Sequence, residues 1–221
     1  MQESRALFKI IIVVLFLGIS KVSAQNKYLD FFVGATVNIS ENTDFIEKYS
    51  LDRLKVGLNV GASFSQSFCE NMFRYGGDIL YNSKGEKYSL GDSINFDSDI
   101  SYFQIRPFIK YYIPSAPLYI GVGFYGAYAV NKVVNYGDDF KPEIPQIDQP
   151  TPKYYSAMDF GPTLWFGGEL NFGAVSYFAG ICLEYGLANI SERENRKIFN
   201  RSAEICVGVN FLITDKNYRH W

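Results

Sequence analysis

The chain has 221 residues, of which 17% are aromatic and only 20% are charged, and its formal net charge is −2. Soluble domains average about 25% charged residues, so this chain is poor in the side chains that cover a water-facing surface. The weakly negative charge argues against a nucleic-acid-binding surface, and three cysteines do not make a disulfide framework.

The first 24 residues have the pattern of a secretory signal peptide. Arg5 and Lys9 precede an uncharged apolar run over residues 10–19, and "SKVSA" then offers a small-residue cleavage site. The alternative, a membrane helix, needs about 20 apolar residues, and this run is far shorter. We therefore expect export through the general secretory route, which leaves one domain over residues 25–221.

Eight segments of the mature chain alternate between two side-chain types and are bounded by turn residues, which predicts strands. They cover residues 28–40, 53–67, 72–83, 100–113, 117–132, 155–169, 173–188 and 201–214. The connections after the second, fourth and sixth strands are tight ("FCEN", "PSAP", "LNF"), whereas the others run roughly ten to twenty residues. Short turns at one end and long loops at the other are typical of an outer-membrane barrel.

The stretch "YFQIRPFIKYY", residues 102–112, shows the alternation most clearly. A helix is disfavoured because Pro107 would lie in its interior, at a cost of roughly 3 kcal/mol. Read as a strand, its even positions carry Gln104, Arg106 and Lys110, whereas its odd positions are apolar or aromatic. One face is therefore polar and the other is apolar.

The fifth predicted strand, residues 117–132, separates a membrane barrel from a soluble lipocalin-type barrel. One of its faces is apolar and the other is small and aromatic, so neither suits water. We therefore predict an all-β fold, an eight-stranded antiparallel up-and-down transmembrane β-barrel, in contact with outer-membrane lipid. The soluble ligand-binding barrel remains the alternative. Aromatic residues near both margins of the apolar face are expected at the headgroup layers.

Charged side chains that share the opposite parity are predicted to face the lumen. Eight strands enclose an interior that side chains fill, so these groups must pair with one another. Two interpretations stay open, an ionic plug and a proton or ion relay. The predicted lumen cluster comprises Lys55, Arg74, Asp78, Gln104, Arg106, Lys110, Asp159, Glu184 and Glu204, with Asp30 and Glu169 on the same face.

Prolines and cysteines raise two further questions. Pro107 and Pro162 lack the N–H that a closed barrel requires, so we expect bulges or strand ends at both positions.

A hairpin centred at residue 194 would place Cys182 opposite Cys206, which allows either a cross-strand disulfide or two buried thiols. Cys69 falls in a predicted short turn.

Two stretches, "RYGGDILYNSKGEKYSL" and "YFQIRPFIKYYIPSAPLYIGVGFYGAYAV", carry a family resemblance. They resemble the PorT-like outer-membrane β-barrel family of Bacteroidota-type envelopes. The resemblance implies an outer-membrane barrel and, for the founding member, an accessory part in protein secretion. The matching positions are structural rather than catalytic: Tyr81, Lys84, Gly85, Tyr102, Pro107, Lys110, Tyr111, Tyr112, Gly121, Gly123 and Gly126.

The sequence offers few candidate catalytic residues, because His220 is the only histidine and lies beyond the last predicted strand. We predict no catalytic residue, metal site, cofactor or small-molecule substrate, although a carboxylate mechanism stays conceivable.

Three functional hypotheses remain besides a carboxylate enzyme. The first is an anchor for external loops that bind envelope or secretion proteins, and the second is a narrow solute channel. The third is the soluble lipocalin-like ligand binder. The best interaction candidate is the acidic, proline-rich loop at residues 133–153, which could equally be a solvated loop. Its acidic residues are Asp138, Asp139, Glu143 and Asp148.

Overall fold

The computed structural model describes residues 26–42, 50–90, 94–136, 155–192 and 197–215. The predicted signal peptide lies outside the described residues. So do the four acidic loop residues, Asp138, Asp139, Glu143 and Asp148. Within the described ranges, no helix has the length and apolar character needed to cross a membrane.

The described residues form a short strand and eight long ones. Their bounds are β1 (Asn26–Asn42), β2 (Ser50–Arg53), β3 (Lys55–Phe68), β4 (Phe73–Leu90), β5 (Ile94–Tyr112), β6 (Leu118–Tyr136), β7 (Met158–Phe172), β8 (Val175–Tyr185) and β9 (Ile198–Asp215). β2 is nearly continuous with β3 and pairs with the far end of β4.

The eight long strands close into a barrel. Each pairs antiparallel with its neighbour in the order β1, β3, β4, β5, β6, β7, β8 and β9. β9 then pairs with β1 along almost its whole length, from Asn26 opposite Asp215 to Asn42 opposite Ile198. The predicted eight-stranded antiparallel barrel is confirmed.

Three short turns lie at one end of the barrel. They follow β3, β5 and β7, as the sequence predicts for the second, fourth and sixth strands. The last turn falls at Gly173, beyond the predicted "LNF", because its φ of +80° is the left-handed conformation that glycine adopts without strain. Phe172 therefore still belongs to β7.

The predicted long loop after the third strand is wrong in its extent. β4 and β5 stay paired far beyond their predicted ends, from Lys84 opposite Ile100 to Leu90 opposite Ile94. Strand pairing here outlasts the apolar alternation, because the hydrogen bonds of an antiparallel pair join backbone groups and do not require an apolar face. Alternation marks only the part of a strand that has one apolar face.

Both prolines lie on the exposed face of the barrel, where one hydrogen-bond ladder is interrupted. Pro107 lies opposite Gly77 of β4, and the pairing of β5 with β6 is broken between Ile105 and Phe108 without a change of register. Pro162 lies opposite Phe124, and the β7–β8 ladder begins one residue later. The expected bulge is therefore absent at Pro107, where a local gap accommodates the missing N–H. Pro162 lies inside β7 at the first position before the β7–β8 ladder, so neither the expected bulge nor a strand end occurs there.

Candidate functional site

The barrel has an apolar outside. Leu54, just before β3, is 60% exposed, and Val56, Leu58 and Val60 along β3 are 63%, 73% and 53% exposed. On β1 the outward positions stay apolar from residue 29 to residue 39, which corresponds to about 25 Å of height for a tilted strand. The belt includes Phe31, Val33, Ile105, Ile120, Val122, Phe124, Phe160, Leu164, Phe166, Ile181, Leu183, Ile205, Val207 and Phe211.

Aromatic side chains mark the margins of this belt. Tyr81, Phe103 and Tyr128 lie directly opposite one another on β4, β5 and β6 toward the long-loop end. Phe73 and Tyr111 contact each other at the short-turn end, with ring centroids 5.0 Å apart. A soluble lipocalin-type barrel would carry polar side chains on this surface, so that alternative is wrong.

The long-loop side of the lumen is closed by apolar side chains. We call this group the apolar cap. Two of its members, Tyr155 and Ile190, come from segments outside the long strands, and they are 2% and 0% exposed. The complete cap is Ile100, Tyr102, Tyr125, Ala127, Ala129, Tyr155, Ile190 and Ile198.

Beside the cap lies the central cluster, which we define as Asp78, Lys84, Gln104, Arg106, Asp159, Glu184 and Glu204. Arg106 connects its carboxylates. The Arg106 guanidinium lies 2.5 Å from Glu204, 3.2 Å from Glu184 and 3.1 Å from Asp78. Gln104, the other polar residue of β5 at this level, donates a hydrogen bond to Glu184. The structure thus brings together six of the nine residues predicted for the lumen.

Lys84 is the cation of this cluster that the strand prediction missed, because the third predicted strand ends at residue 83. It is 0% exposed, lies 2.6 Å from Glu184 and 3.8 Å from Asp159, and its Nζ lies 4.6 Å from the centroid of the Tyr125 ring. Its signal was present in the sequence, since Lys84 has the same even parity as Arg74 and Asp78.

Cys182, Glu184 and Glu204 offer ligand atoms within 4.8 Å of one another, which is the spacing of a metal site. Arg106 Nη1 already lies among them, 3.5 Å from the Cys182 Sγ and within hydrogen-bond distance of both carboxylates. The guanidinium therefore occupies the position that a cation would take, and the three groups act as its acceptors.

A second ion pair lies toward the short turns. Arg74 Nη1 and Nη2 donate to the two Glu169 carboxylate oxygens at 2.8 and 3.0 Å, and Tyr112 donates its hydroxyl to the same carboxylate at 3.0 Å. The Arg74 guanidinium also lies 3.8 Å from the Tyr28 ring centroid. We call Arg74, Glu169, Tyr112 and Tyr28 the inner cluster.

The remaining two predicted cations lie apart from both clusters. Lys55 is at the long-loop end, where its Nζ lies 2.7 Å from Asp97 and 2.6 Å from Asp99. Both aspartates lie in the stretch that the sequence assigned to a loop. Lys110 lies among aromatic rings, 4.3 Å from the centroid of Phe108 and 5.1 Å from that of Tyr119. The residues predicted as one lumen cluster therefore lie at several heights along the barrel axis.

The hypothesised disulfide is wrong. Cys182 and Cys206 are both buried free thiols, and Cys69 is an exposed one in the first short turn. The β8–β9 register places Cys182 opposite Glu204 and Cys206 opposite Gly180, so the hairpin is centred at residue 193 and not at 194. The two thiols are diagonal neighbours, and the direct opposition on which that hypothesis rested is absent.

A small cavity lies between these levels. It lies beside Arg106, Lys110 and Trp165 and has a volume of about 20 Å³, enough for a single water molecule. The Phe178 ring fills the space where a Cβ of Gly208 would lie. Chemically, the described lumen is a packed polar core that holds its charges in place.

Known proteins offer similarity only at the level of solved structures. No family model matches the chain, and no curated protein matches it. Neisserial surface protein A is 15% identical, with a TM-score of 0.45, over 84% of this chain and 96% of its own. Ail of Yersinia pestis, solved in complex with the heparin analogue sucrose octasulfate, is 13% identical with a TM-score of 0.44, over 85% and 99% of the two chains.

The N-terminal β-barrel domain of Pseudomonas aeruginosa OprF is also similar, at 13% identity and a TM-score of 0.35, over 86% of this chain and all of that one. Identities at this level transfer no activity. The assignment to a membrane rests on the chain's own surfaces, an apolar exterior around buried charges. This arrangement is that of an integral outer-membrane β-barrel protein.

Proposed function

We propose that this protein is a non-enzymatic outer-membrane anchor of a Gram-negative envelope, whose external segments bind other envelope proteins. On this proposal the chain reaches the membrane through the general secretory route. The sequence resemblance to the PorT-like family supports an accessory role in protein secretion or envelope assembly.

The observation that carries the proposal is the closed lumen. Arg106 is 1% exposed and contacts three carboxylates, while the apolar cap covers the long-loop side of the cluster. A barrel filled in this way offers no aqueous path of the width that a porin has. What remains available for function is its outer surface and the segments that it carries.

The long connections are the best candidates for binding because they leave the barrel at one end. In the described part of that end, β4 and β5 continue as a paired extension, held to β3 by the ion pairs of Lys55 with Asp97 and Asp99. Such an extension is a rigid support for neighbouring loops. Asp138, Asp139, Glu143 and Asp148 are the acidic side chains that we propose contact a partner.

Crosslinking and mass spectrometry of intact outer membranes test the proposal. Reproducible protein neighbours should be captured by the natural chain, and fewer by a variant that lacks residues 138–150. The matched control replaces residues 138–150 with a Gly/Ser segment of equal length, which separates loop chemistry from loop length. Heat-modifiability gels confirm that each variant still forms the barrel.

Two results would contradict the proposal, the first as a whole and the second in its assignment of binding to residues 138–150. One is the absence of any reproducible neighbour of the natural chain, and the other is unchanged capture by both loop variants. The second result would remove this loop and leave the remaining external segments to be tested in the same way.

A further inference from the structure

A row of polar side chains runs around the inner wall of the barrel, from each strand to the next. Each member lies opposite the next on the adjacent strand, and each is at least nine-tenths buried. The row runs from β5 to β8 as Arg106, Asp78, Ser63, Asp30, Asn210 and Ser176. Its first two members form an ion pair, with Arg106 Nε 3.1 Å from Asp78.

The middle of this row has oxygen atoms without hydrogen-bond partners. They are Asp30 Oδ1, Ser63 Oγ and Asn210 Oδ1, on residues that are 6%, 3% and 2% exposed. Native proteins rarely leave such atoms unsatisfied, because each costs about 1–3 kcal/mol. Three lie on adjacent strands with a carboxylate at the centre, and two of them, on Asp30 and Ser63, belong to residues that line one cavity and can accept hydrogen bonds from a bound donor.

The cavity of about 20 Å³ lies at this place, and its lining includes Asp30, Ser63 and Lys110. Among the described residues, no carboxylate lies within 4.0 Å of the Lys110 ammonium, although aromatic rings surround it. The cavity therefore separates an unpaired ammonium from an unpaired carboxylate oxygen. Its volume suits one water molecule, which needs two to four polar partners.

We propose that this cavity is a binding site for a single water molecule that connects the Lys110 ammonium to the Asp30 carboxylate. Lys110 donates to the water oxygen, and the water donates to Asp30 Oδ1 and to Ser63 Oγ. A metal cation is disfavoured because Lys110 and Arg106 both line the cavity and would repel it. The bound water satisfies two of the three oxygen atoms and links Lys110 of β5 to Asp30 of β1.

High-resolution crystallography of the purified full-length barrel tests the site directly. The expected result is one density peak within about 2.7–3.2 Å of Asp30 Oδ1 and Lys110 Nζ, with no anomalous signal after soaking in rubidium chloride. A direct Lys110–Asp30 ion pair, an empty cavity or an anomalous rubidium peak would each overturn the proposal.

A double-mutant cycle gives an independent readout. Lys110→Met and Asp30→Asn should each lower the midpoint temperature of the heat-modifiability transition, and the double variant should lose less than the sum of the two. Ser63→Ala should also lower the midpoint, whereas Ser65→Ala, a matched control at a buried position outside the cavity, should lower it less. Strictly additive effects of Lys110→Met and Asp30→Asn would contradict a connection between them.

Discussion

The central and inner clusters both hold buried charged side chains, but they pair these charges in different ways. In the central cluster one guanidinium, Arg106, serves three carboxylates, so every charge depends on a shared partner. In the inner cluster Arg74 and Glu169 form a two-point pair, supported by a tyrosine hydroxyl. In the central cluster, substituting one residue should leave several charges without a partner. In the inner cluster, both members of the ion pair can be replaced together.

This difference matters because buried charges gain stability only from their partners. Removing one partner of a buried pair costs about 3–5 kcal/mol, although replacing both by apolar groups is often neutral. The number of buried carboxylates left behind should therefore rank the losses of stability, and the ranking can be measured on one barrel.

The largest effect is expected for Arg106→Met. It leaves Asp78 and Glu204 without a cationic partner and leaves Glu184 with Lys84 alone, so we expect a loss near the upper end of the range, about 5 kcal/mol. Urea unfolding of the protein in lipid vesicles measures the loss. Arg106→Lys keeps the charge but not the forked geometry. Its stability should lie between that of the natural protein and that of Arg106→Met. A loss below about 1 kcal/mol for Arg106→Met would contradict the network, since losses of that size are typical of exposed ion pairs.

A smaller loss is expected for Arg74→Met. One carboxylate, Glu169, is left without a cation, which corresponds to about 3 kcal/mol in the same unfolding assay. Tyr112→Phe is the matched control, because it removes only the supporting hydroxyl and should cost about 1 kcal/mol. Equal losses for Arg74→Met and Arg106→Met would show that the two clusters do not differ in connectivity.

Lys55→Met should cost still less, about 1 kcal/mol, because the side chains of its partners Asp97 and Asp99 are 32% and 37% exposed. The loss should shrink in high salt, since water and ions screen this pair. The exposed Lys27 provides the control, as Lys27→Met should change stability by no more than about 0.5 kcal/mol. A loss for Lys55→Met that is large and independent of salt would place this pair with the buried clusters.

The smallest effect is expected for the double variant Arg74→Met/Glu169→Met. Replacing both charges removes the ion pair and the cost of burying it together, so the stability should stay within about 1 kcal/mol of the natural protein. If the double variant is as unstable as Arg74→Met alone, the inner cluster is not an exchangeable unit.

Side-chain parity explains why much of the lumen was predictable. A barrel wall has only two faces, and an apolar outward face fixes the direction of every second residue, so Arg106 and Glu204 could be assigned inward from sequence alone. Parity does not give distance along the barrel. It therefore grouped Lys55, at the long-loop end, with Arg74 near the short turns.

Register and strand ends could not be predicted in the same way. A hairpin centred one residue away leaves the parity of Cys182 and Cys206 unchanged, yet it turns direct opposition into a diagonal contact. The burial of Lys84 was missed because the third predicted strand ended at residue 83, although β4 and its parity continue beyond that point. Where strands pair beyond the membrane, their outward residues need not be apolar. The sequence alternation then does not mark where the strands end.

Planar-bilayer conductance of the purified, heat-modifiable protein tests the central claim, a barrel sealed by its own side chains, most directly. We expect the inserted natural protein to leave the bilayer at its baseline conductance, because the apolar cap and the central cluster fill the lumen. Large, stable, ohmic openings would contradict this account and establish a solute channel in place of an anchor.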